Sequence, residues 1–282
     1  MATTKRWEFP DGMVERVRER GPLVHCITNY VTVESCANIL LAAGASPIMA
    51  DDSGEMEEIT SICSALVLNL GTLNARTIPS MGIAGRKARS LERPIVLDPV
   101  GVGASTLRTE TAIRLIEEVS PTVLRGNASE MKALMTGQGK TRGVDAEIAD
   151  QISETNLFEM ARHFQEFAEK TGSVVAVSGS VDLVADSGRV AVIYGGDPIM
   201  TRVTGCGCME TALTAAYVAS GSDPWESTVS AFAVMAVCGE DAARSTRTAG
   251  GGPMAFRQRL IDGIDALDSE TMRRKARVET II

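Results

Sequence analysis

One glycine-rich turn in this sequence combines the features of a phosphate site with a reactive side chain. The turn spans 201–208, with the letters TRVTGCGC, and an apolar run follows it from 209 to 219. Gly205 and Gly207 have no Cβ, so the backbone there can adopt positive φ and approach a ligand closely. A helix that begins here would point unpaired N–H groups and the positive end of its dipole at an anion. Cys208 would place a thiol at the edge of that site, so the segment predicts phosphate binding beside a hydroxyl group.

A Gly-x-Gly turn alone is a weak signal, because short glycine motifs also occur at ordinary helix starts with buried, inert cysteines. Three further polar residues, Asp98, Arg125 and Ser178, each end an apolar segment that is typical of a strand. The carboxyl ends of parallel strands meet at one edge of a sheet, where open α/β sheets bind ligands. An acid, a base and a hydroxyl at that edge, beside a glycine turn, are the parts that phosphoryl transfer requires.

Glu130 has two interpretations. With Asn127 as the N-cap and Glu130 at the third helical position, the pair would form a capping box, which needs no further function. Alternatively, Glu130 and Asp98 lie near a hydrated Mg²⁺, an ion that binds through few carboxylates and keeps several waters. Glu130 can have both roles if different atoms of the residue form the capping box and face the Mg²⁺ ion.

The histidines and the other cysteines give weaker signals. His25 lies in an apolar segment, where a satisfied core residue is more common than a catalytic one, and His163 lies on a charged helical segment, where solvation is expected. Cys206 and Cys208 are spaced too closely for a zinc knuckle, and no second pair follows them. Met49 ends another apolar segment and is a core residue by default, although methionine is also an adaptable wall for a flat heterocycle.

Composition excludes several classes of function. The 282 residues carry 28 basic and 36 acidic side chains, a net charge of −8, without a basic block. We therefore expect no nucleic-acid partner and no anionic membrane surface. The first eleven residues lack the apolar stretch of a signal peptide, and the longest apolar run, 231–238, is too short to span a bilayer. Six cysteines scattered along a long chain are typical of a reducing compartment, so we expect a cytoplasmic protein.

The segments that must position these residues alternate between strands and helices. Apolar strands are predicted at 22–28, 46–50, 65–70, 94–98, 122–125 and 173–178, and helices near 31–43, 54–62, 74–91, 109–119, 127–136 and 155–170. This alternation predicts an α/β fold, with a central, mostly parallel sheet flanked by helices on both faces.

The remaining segments complete one predicted domain over 1–282. A hairpin is expected from 181–185 and 190–194, and three successive helices near 208–220, 224–243 and 253–267. Residues 1–20 should contribute an N-terminal helix, formed by 13–20. Polar composition predicts a surface loop at 137–154 and a frayed, charged tail at 268–282.

Taken in order, these motifs resemble those of the hydroxyethylthiazole kinases. The matching segments are 22–31, 44–50, 65–73, 96–104, 125–130 and 201–208, and the resemblance covers about residues 20–265. The resemblance implies a ribokinase-like fold and a homotrimer with its sites near the subunit interfaces. It also implies ATP- and Mg²⁺-dependent phosphorylation of the hydroxyl of 4-methyl-5-(2-hydroxyethyl)thiazole, hereafter hydroxyethylthiazole, in thiamine salvage.

The resemblance also implies roles for nine residues. They are Met49, Gly205 and Asn29 for thiazole binding, Arg125, Ser178 and Gly207 for the nucleotide, Asp98 and Glu130 for the Mg²⁺ region, and Cys208 in the place of the catalytic Asp of related sugar kinases. Two departures stand out. Cys206 replaces a small or hydroxyl residue of the family, and the segment 244–252 is unusually rich in Arg and Gly.

A protonated thiol is a poor base, but phosphoryl transfer is largely dissociative and needs little early proton removal. Cys208 is therefore expected to orient the hydroxyl and accept its proton late.

Two alternatives to this function remain open. One is another enzyme of the same fold, such as an ATP-dependent hydrate dehydratase or a pyrimidine kinase, which should carry Asp at position 208. The other is a non-catalytic thiazole or nucleotide sensor. A dinucleotide-binding dehydrogenase is disfavoured, because the Gly101-Val-Gly103 motif lacks a third glycine.

Overall fold

The computed structural model describes residues 3–137, 152 and 155–281. Within these residues the strands are β1 (Thr4–Arg6), β2 (Leu23–Ile27), β3 (Ser46–Ile48), β4 (Ala65–Asn69), β5 (Ile95–Asp98), β6 (Val123–Asn127), β7 (Val174–Ser178), β8 (Asp182–Ala185), β9 (Val190–Tyr194) and β10 (Arg277–Ile281). The helices are α1 (Met13–Arg20), α2 (Val33–Ala42), α3 (Met56–Ile62), α4 (Thr77–Ser90), α5 (Thr106–Val119), α6 (Ala128–Thr136), α7 (Leu157–Thr171), α8 (Cys206–Ser220), α9 (Pro224–Thr248), α10 (Pro253–Asp265) and α11 (Ser269–Lys275).

The ten strands of the described chain form one sheet in the order β1-β10-β9-β8-β7-β6-β5-β4-β2-β3. The strands from β3 to β7 along this order are parallel to their neighbours, and β8, β9, β10 and β1 continue the sheet in antiparallel pairs. Helices connect the parallel strands, as parallel pairing requires. The α/β prediction is confirmed, and so is the hairpin that β8 and β9 form.

Helices cover both faces of the sheet. Successive residues of a strand point to opposite faces, and on β4 Ala65 and Val67 enter one buried core while Leu66 and Leu68 enter another. The first core contains residues of α1, α2, α8, α9 and α10, and the second contains residues of α4, α5, α6 and α7. Burial on both faces explains why these strands are continuously apolar.

The two chain ends differ from the predictions. The tail at 268–282 was predicted to be frayed, and this is wrong: it forms α11 and then β10, which pairs with β9 and with β1. The N-terminal helix predicted at 13–20 is confirmed, but 4–6 form the edge strand β1, which was not predicted. The composition of the tail did not reveal this strand, because its pairing is made by backbone hydrogen bonds and only Val278 within β10 is buried.

Other boundaries move by a few residues. Helix α8 begins at Cys206 rather than at 208, and α9 continues to Thr248, so the first half of the Arg- and Gly-rich segment is helical. Most of the predicted surface loop at 137–154 lies outside the described residues. None of the helices in the described chain is both long enough and apolar enough to cross a membrane.

Candidate active site

The candidate site lies at the carboxyl edge of the parallel strands. Neighbouring strands end in register there, with Asn69 of β4 beside Asp98 of β5 and Asn127 of β6 beside Ser178 of β7.

Arg125 was predicted to end its strand, and this is wrong. Strand β6 continues through it to Asn127, and Arg125 pairs with Ala176 inside the ladder. The Arg125 side chain is nevertheless directed to the site, as its contacts below show.

Gly205 marks the start of α8, where the site meets the helix. Its φ of 88° is in the left-handed region, which favours glycine. A Cβ on Gly205 would lie 2.6 Å from Cγ2 of Thr32. Both the backbone conformation and the available space therefore require glycine at this position.

Gly207 is needed for a different reason. Its φ lies outside the left-handed region, but a Cβ here would lie 2.7 Å from Nη1 of Arg125. The bare backbone of the first turn of α8 thus leaves room for the Arg125 guanidinium. The sequence predicted Gly207 as part of a phosphate-binding turn, and the structure adds that it seats an arginine.

Cys208 lies among amide donors. Its Sγ is 3.2 Å from Nδ2 of Asn29 and 3.3 Å from Nδ2 of Asn69, both of which donate to it. Burial raises the pKa of the Cys208 thiol, and the carboxyl of Asp98 raises it further, while the amide hydrogen bonds oppose the shift. Cys208 is half-buried, so a ligand can reach it.

Asn69 connects the catalytic candidates and was missed by the sequence analysis. The backbone N–H of Gly71 donates to its Oδ1 at 2.9 Å, which fixes the orientation of the amide. Nδ2 of Asn69 therefore faces Oδ2 of Asp98, at 2.8 Å, as well as Cys208. Its Oδ1 also accepts from Asn29 at 3.0 Å. A polar residue at the end of an otherwise apolar strand was the available signal.

Asp98 is buried with one oxygen satisfied and one unsatisfied. Oδ2 accepts hydrogen bonds from Asn69 and, at 2.7 Å, from Oγ1 of Thr211. Oδ1 has no hydrogen-bond partner among the described residues. Burial raises the pKa of Asp98, and the positive charge of Arg125 opposes the shift. A buried, unpaired carboxylate oxygen is costly unless a ligand or a cation completes it.

Glu130 makes the predicted capping box. Its Oε2 accepts from the N–H of Asn127 at 2.9 Å, and its own N–H donates to Oδ1 of Asn127 at 2.9 Å. Its Oε1 accepts from the N–H of Gly101 at 2.8 Å, which ties the loop after β5 to α6. Burial, and then the neighbouring Asp98, raise the pKa of Glu130 to about 7.

Arg125 is held by a residue that the sequence analysis missed, Glu210 of α8. Nη2 of Arg125 donates to Oε2 of Glu210 at 2.5 Å and to Oγ of Ser178 at 2.8 Å. Burial opposes ionisation of Arg125, but the carboxylates of Glu210 and Asp98 raise its pKa. The signal for Glu210 was a lone acid within the apolar run 209–219.

A second arginine, Arg108 of α5, was also missed. It clamps the loops that follow β4 and β5: Nη1 donates to the carbonyl oxygens of Leu70 and Val100, at 2.5 and 2.6 Å, and Nη2 donates to that of Gly71 at 2.7 Å. These bonds fix the backbone beside Asn69 and Asp98. Sequence patterns offered no signal, because Arg108 lies in an ordinary amphipathic helix.

The weaker candidates take structural positions. The ring nitrogens of His25 are bonded to Thr60 Oγ1 and the Ala50 carbonyl, so the interpretation as a satisfied core residue is confirmed. His163 is half-buried on α7 rather than fully solvated, because its helix packs against the sheet. Cys206 is buried, which raises its pKa to about 12. Met49 packs, partly buried, against the first core. All six cysteines lie in the described chain and are unpaired.

Chemically, the edge combines a half-buried thiol, buried carboxylates and a buried guanidinium at a helix N-terminus. In the described ranges, no three His, Cys, Asp or Glu side chains converge into a metal cage. Mg²⁺ does not require one, since it keeps several waters and binds through one or two carboxylates. The unpaired Oδ1 of Asp98 fits such an ion.

Comparison with known proteins agrees with this geometry. A sequence profile of the Hydroxyethylthiazole kinase family matches residues 14–270. A hydroxyethylthiazole kinase of Clostridium acetobutylicum is 48% identical over 268 residues, covering 95% of this chain and 98% of its own. The solved structure of a hydroxyethylthiazole kinase protein from Pyrococcus horikoshii OT3 superposes with a TM-score of 0.84 and 36% identity, covering 96% and 98% of the two chains.

A more distant structure bears on the fold alone. A ribokinase-like superfamily protein from Enterococcus faecalis V583 is 13% identical and superposes with a TM-score of 0.60, covering 93% of this chain and 91% of its own. The prediction of a ribokinase-like fold is therefore confirmed.

Proposed function

The chain belongs to the hydroxyethylthiazole kinase family, and from this premise we propose how its carboxyl-edge site carries out the reaction. The protein is a kinase that transfers a phosphoryl group from ATP to the hydroxyl of hydroxyethylthiazole, a step in thiamine salvage. The observation that supports the assignment of the site is the convergence of two amide donors on Cys208, beside the buried Asp98 and at the start of α8.

Cys208 is the residue that meets the substrate hydroxyl. Its raised pKa keeps the thiol protonated at neutral pH, so it is a weak base in the ground state. Phosphoryl transfer develops little charge on the attacking oxygen early, and a late proton acceptor is sufficient. Asn29 and Asn69 hold the sulfur in place through their amide hydrogen bonds, and positioning of this kind provides much of the acceleration.

The thiazole ring lies, in this proposal, between Met49, Asn29 and Gly205. Met49 offers a soft apolar wall, and the missing side chain of Gly205 leaves the backbone accessible. The position of Asn29 supports the assignment, because its amide bonds Cys208 and its Oδ1 accepts from the N–H groups of Val31 and Thr32. The same residue would thus orient both the substrate and the thiol.

The nucleotide lies on the side of Arg125, Ser178 and Gly207. A guanidinium suits phosphate oxygens because it donates in a planar fork. The first-turn amides of α8 and the helix dipole favour the same negative charge. Asp98 and Glu130 would hold Mg²⁺, directly or through its waters, and Asp98 Oδ1 is the unpaired atom that supports this. When bound, Mg²⁺ neutralises phosphate charge.

We also propose a homotrimer with its sites near the subunit interfaces. Tyr30, Val31 and Val33, which follow Asn29, are 58%, 64% and 36% exposed, and apolar side chains beside a polar site are typical of a contact surface. Light scattering on a size-exclusion column tests the trimer, and a monomeric mass contradicts it.

Two further proposals concern the chain as a whole. A single functional domain is supported by one sheet that includes strands from both chain ends. Six unpaired thiols support a reducing, cytoplasmic setting.

A steady-state assay with ATP, Mg²⁺ and hydroxyethylthiazole tests the function. We expect saturable phosphorylation of the alcohol and no turnover when Mg²⁺ is removed with a chelator. A pyrimidine alcohol, offered in parallel, separates this enzyme from a pyrimidine kinase of the same fold. Binding of the thiazole without turnover would identify a sensor instead.

A further inference from the structure

Glu210 is an acid buried in an otherwise apolar part of α8. It lies in the second turn of the helix, between Met209 and Thr211, and both neighbours are fully buried. A buried carboxylate is costly unless it is paired. Its partner is Arg125, with Nη2 and Oε2 2.5 Å apart and with side chains only 8% and 7% exposed for Arg125 and Glu210.

Arg125 has several carboxylates around it, including that of Asp182, but within the described residues it forms an ion pair only with Glu210. The charges of Glu210, Asp98 and Glu130 all raise its pKa. Nη2 is committed to Glu210 and Ser178, Nη1 lies over Gly207, and Nε has no partner among the described residues. Oδ1 of Asp98 also remains unpaired in the described chain. Glu210 thus forms an ion pair with the Arg125 guanidinium, which the carboxylate of Asp98 would otherwise attract.

We propose that Glu210 is a positioning residue for phosphoryl transfer: it holds the Arg125 guanidinium over Gly207 and away from Asp98. In this arrangement Arg125 faces the nucleotide while Asp98 keeps an oxygen for the metal ion. Glu210 itself does not touch the substrates. The inference rests on the proposed role of Arg125 in nucleotide binding, and the experiment below separates the two.

The principal variant is Glu210→Gln, which keeps the size and one acceptor but removes the charge. Arg125 should then turn toward Asp98. We expect the KM for ATP to rise roughly tenfold to a hundredfold, the range for a lost charge-assisted contact, and the Mg²⁺ concentration for half-maximal rate to rise with it. The KM for hydroxyethylthiazole should stay within about twofold. Glu210→Asp, which restores the charge on a shorter side chain, should recover part of the ATP affinity.

Two further variants distinguish positioning from a general effect on the fold. Thr214 lies one turn further along α8, and its buried Oγ1 donates to the backbone carbonyl of Glu210 at 2.8 Å. The variant Thr214→Val removes this hydroxyl and should leave the KM for ATP unchanged. The double variant Arg125→Met with Glu210→Met replaces the buried pair by apolar side chains, which proteins commonly tolerate. Its KM for ATP should equal that of Arg125→Met alone, because Glu210 acts only through Arg125.

The outcomes are distinct. If Arg125→Met raises the KM for ATP and Glu210→Gln does not, the role of Glu210 is overturned and the proposed function stands. If Arg125→Met itself leaves the KM for ATP unchanged, the nucleotide role of Arg125 fails. A Glu210→Gln protein that raises both KM values equally would show a merely structural role. Should Glu210→Gln fail to fold, Glu210→Asp and the double variant carry the same comparison, and a double variant whose KM for ATP exceeds that of Arg125→Met overturns the proposal.

Discussion

Two thiols lie two residues apart in this chain, yet their surroundings differ in kind. Cys206 is buried within the first core, and burial raises its pKa to about 12. Cys208 is half-buried and accepts hydrogen bonds from Asn29 and Asn69. Glu210 and Arg125 act on Cys206 through their charges, but Cys208 combines amide hydrogen bonds with access to a ligand. At the scale of single residues, the hydrogen-bond environment is therefore what distinguishes the cysteine proposed to take part in the chemistry.

The first prediction concerns these two thiols. Cys208→Ala should lower kcat roughly a hundredfold, at the low end for a lost general base, with little change in thiazole binding. Cys208→Asp supplies a carboxylate and should restore turnover. Cys206→Ala is the matched control and should remain active. Steady-state kinetics on the three variants checks this, and an inactive Cys206→Ala beside a normal Cys208→Ala would show that the wrong thiol has been assigned.

The second prediction concerns pH. The pKa of Glu130 is raised from 4.5 to about 7 in the folded protein, so between these values the native state binds a proton that the unfolded chain has released. The Glu130 contribution to stability is therefore present below about pH 4.5 and is lost as the pH rises through about 7. Glu130→Gln cannot titrate, so its free energy of unfolding should decline less between about pH 5 and about pH 8.

Urea denaturation in metal-free buffer checks this prediction across that pH range. Below about pH 7, Glu130→Gln should be less stable than the wild type, because only one atom of the amide can accept where both carboxyl oxygens of Glu130 accept backbone N–H groups. This difference should shrink as the pH rises, because only the wild type titrates. Stability curves of identical pH slope for the two proteins would contradict the assignment.

At the scale of elements, the start of α8 organises the site. One turn of this helix contains Gly205, which fits against Thr32, and Gly207, which seats Arg125. The same turn carries Cys208, and the next carries Glu210 and Thr211, which bond Arg125 and Asp98. A small displacement of this helix end would therefore move groups proposed to bind both substrates.

The third prediction tests that helix start. Gly205→Ala should lower stability more than Gly172→Ala, the matched control at the end of α7. Both glycines have positive φ, of 88° and 68°, but a Cβ on Gly172 meets nothing within 4 Å. Left-handed strain alone costs roughly 1–2 kcal/mol, and the overlap with Thr32 should add about 1–3 kcal/mol. Thermal unfolding measures the difference.

Turnover and a second substitution complete this test. Gly205→Ala should also lose kcat/KM, whereas Gly172→Ala should keep it. Adding Thr32→Ser removes the methyl group that lies 2.6 Å from the new Cβ and should recover part of the stability. If the two glycine variants lost the same stability, the side chain of Thr32 would be able to move away from the new Cβ without an energetic penalty, and the prediction would be wrong.

At the scale of the whole molecule, the two chain ends close the antiparallel side of the sheet. Strand β10 lies between β9 and β1, and the N–H of Trp7 donates to the carbonyl of Val278 at 2.9 Å. The two ends of the described chain thus stabilise one another through the sheet.

The fourth prediction follows from this arrangement. Deleting 277–282 removes β10, exposes the long edge of β9 and leaves β1 without a partner. We expect a lower Tm and a greater tendency to aggregate, because an unpaired edge can pair with other chains. Deleting 1–6 removes only the three-residue edge strand and should cost less. A C-terminal truncation with the Tm of the full chain would contradict the strand.

The sequence by itself determined the local features of this protein. Alternating apolar and amphipathic segments predicted nearly every element, because burial on one or both faces leaves a periodic pattern in each segment. The glycine turn, Cys208, Asp98 and the Glu130 capping box were likewise visible, since each depends on residues within a few positions.

Only the tertiary structure decided which distant groups meet. Arg125 and Glu210 are 85 residues apart in the sequence, Asn69 and Cys208 are 139 apart, and β10 pairs with a strand from the opposite end of the chain. No periodicity records such pairs, because a single hydrogen bond or salt bridge needs one residue from each segment. Their partners are set by how the helices and strands pack, and that packing depends on the whole sheet.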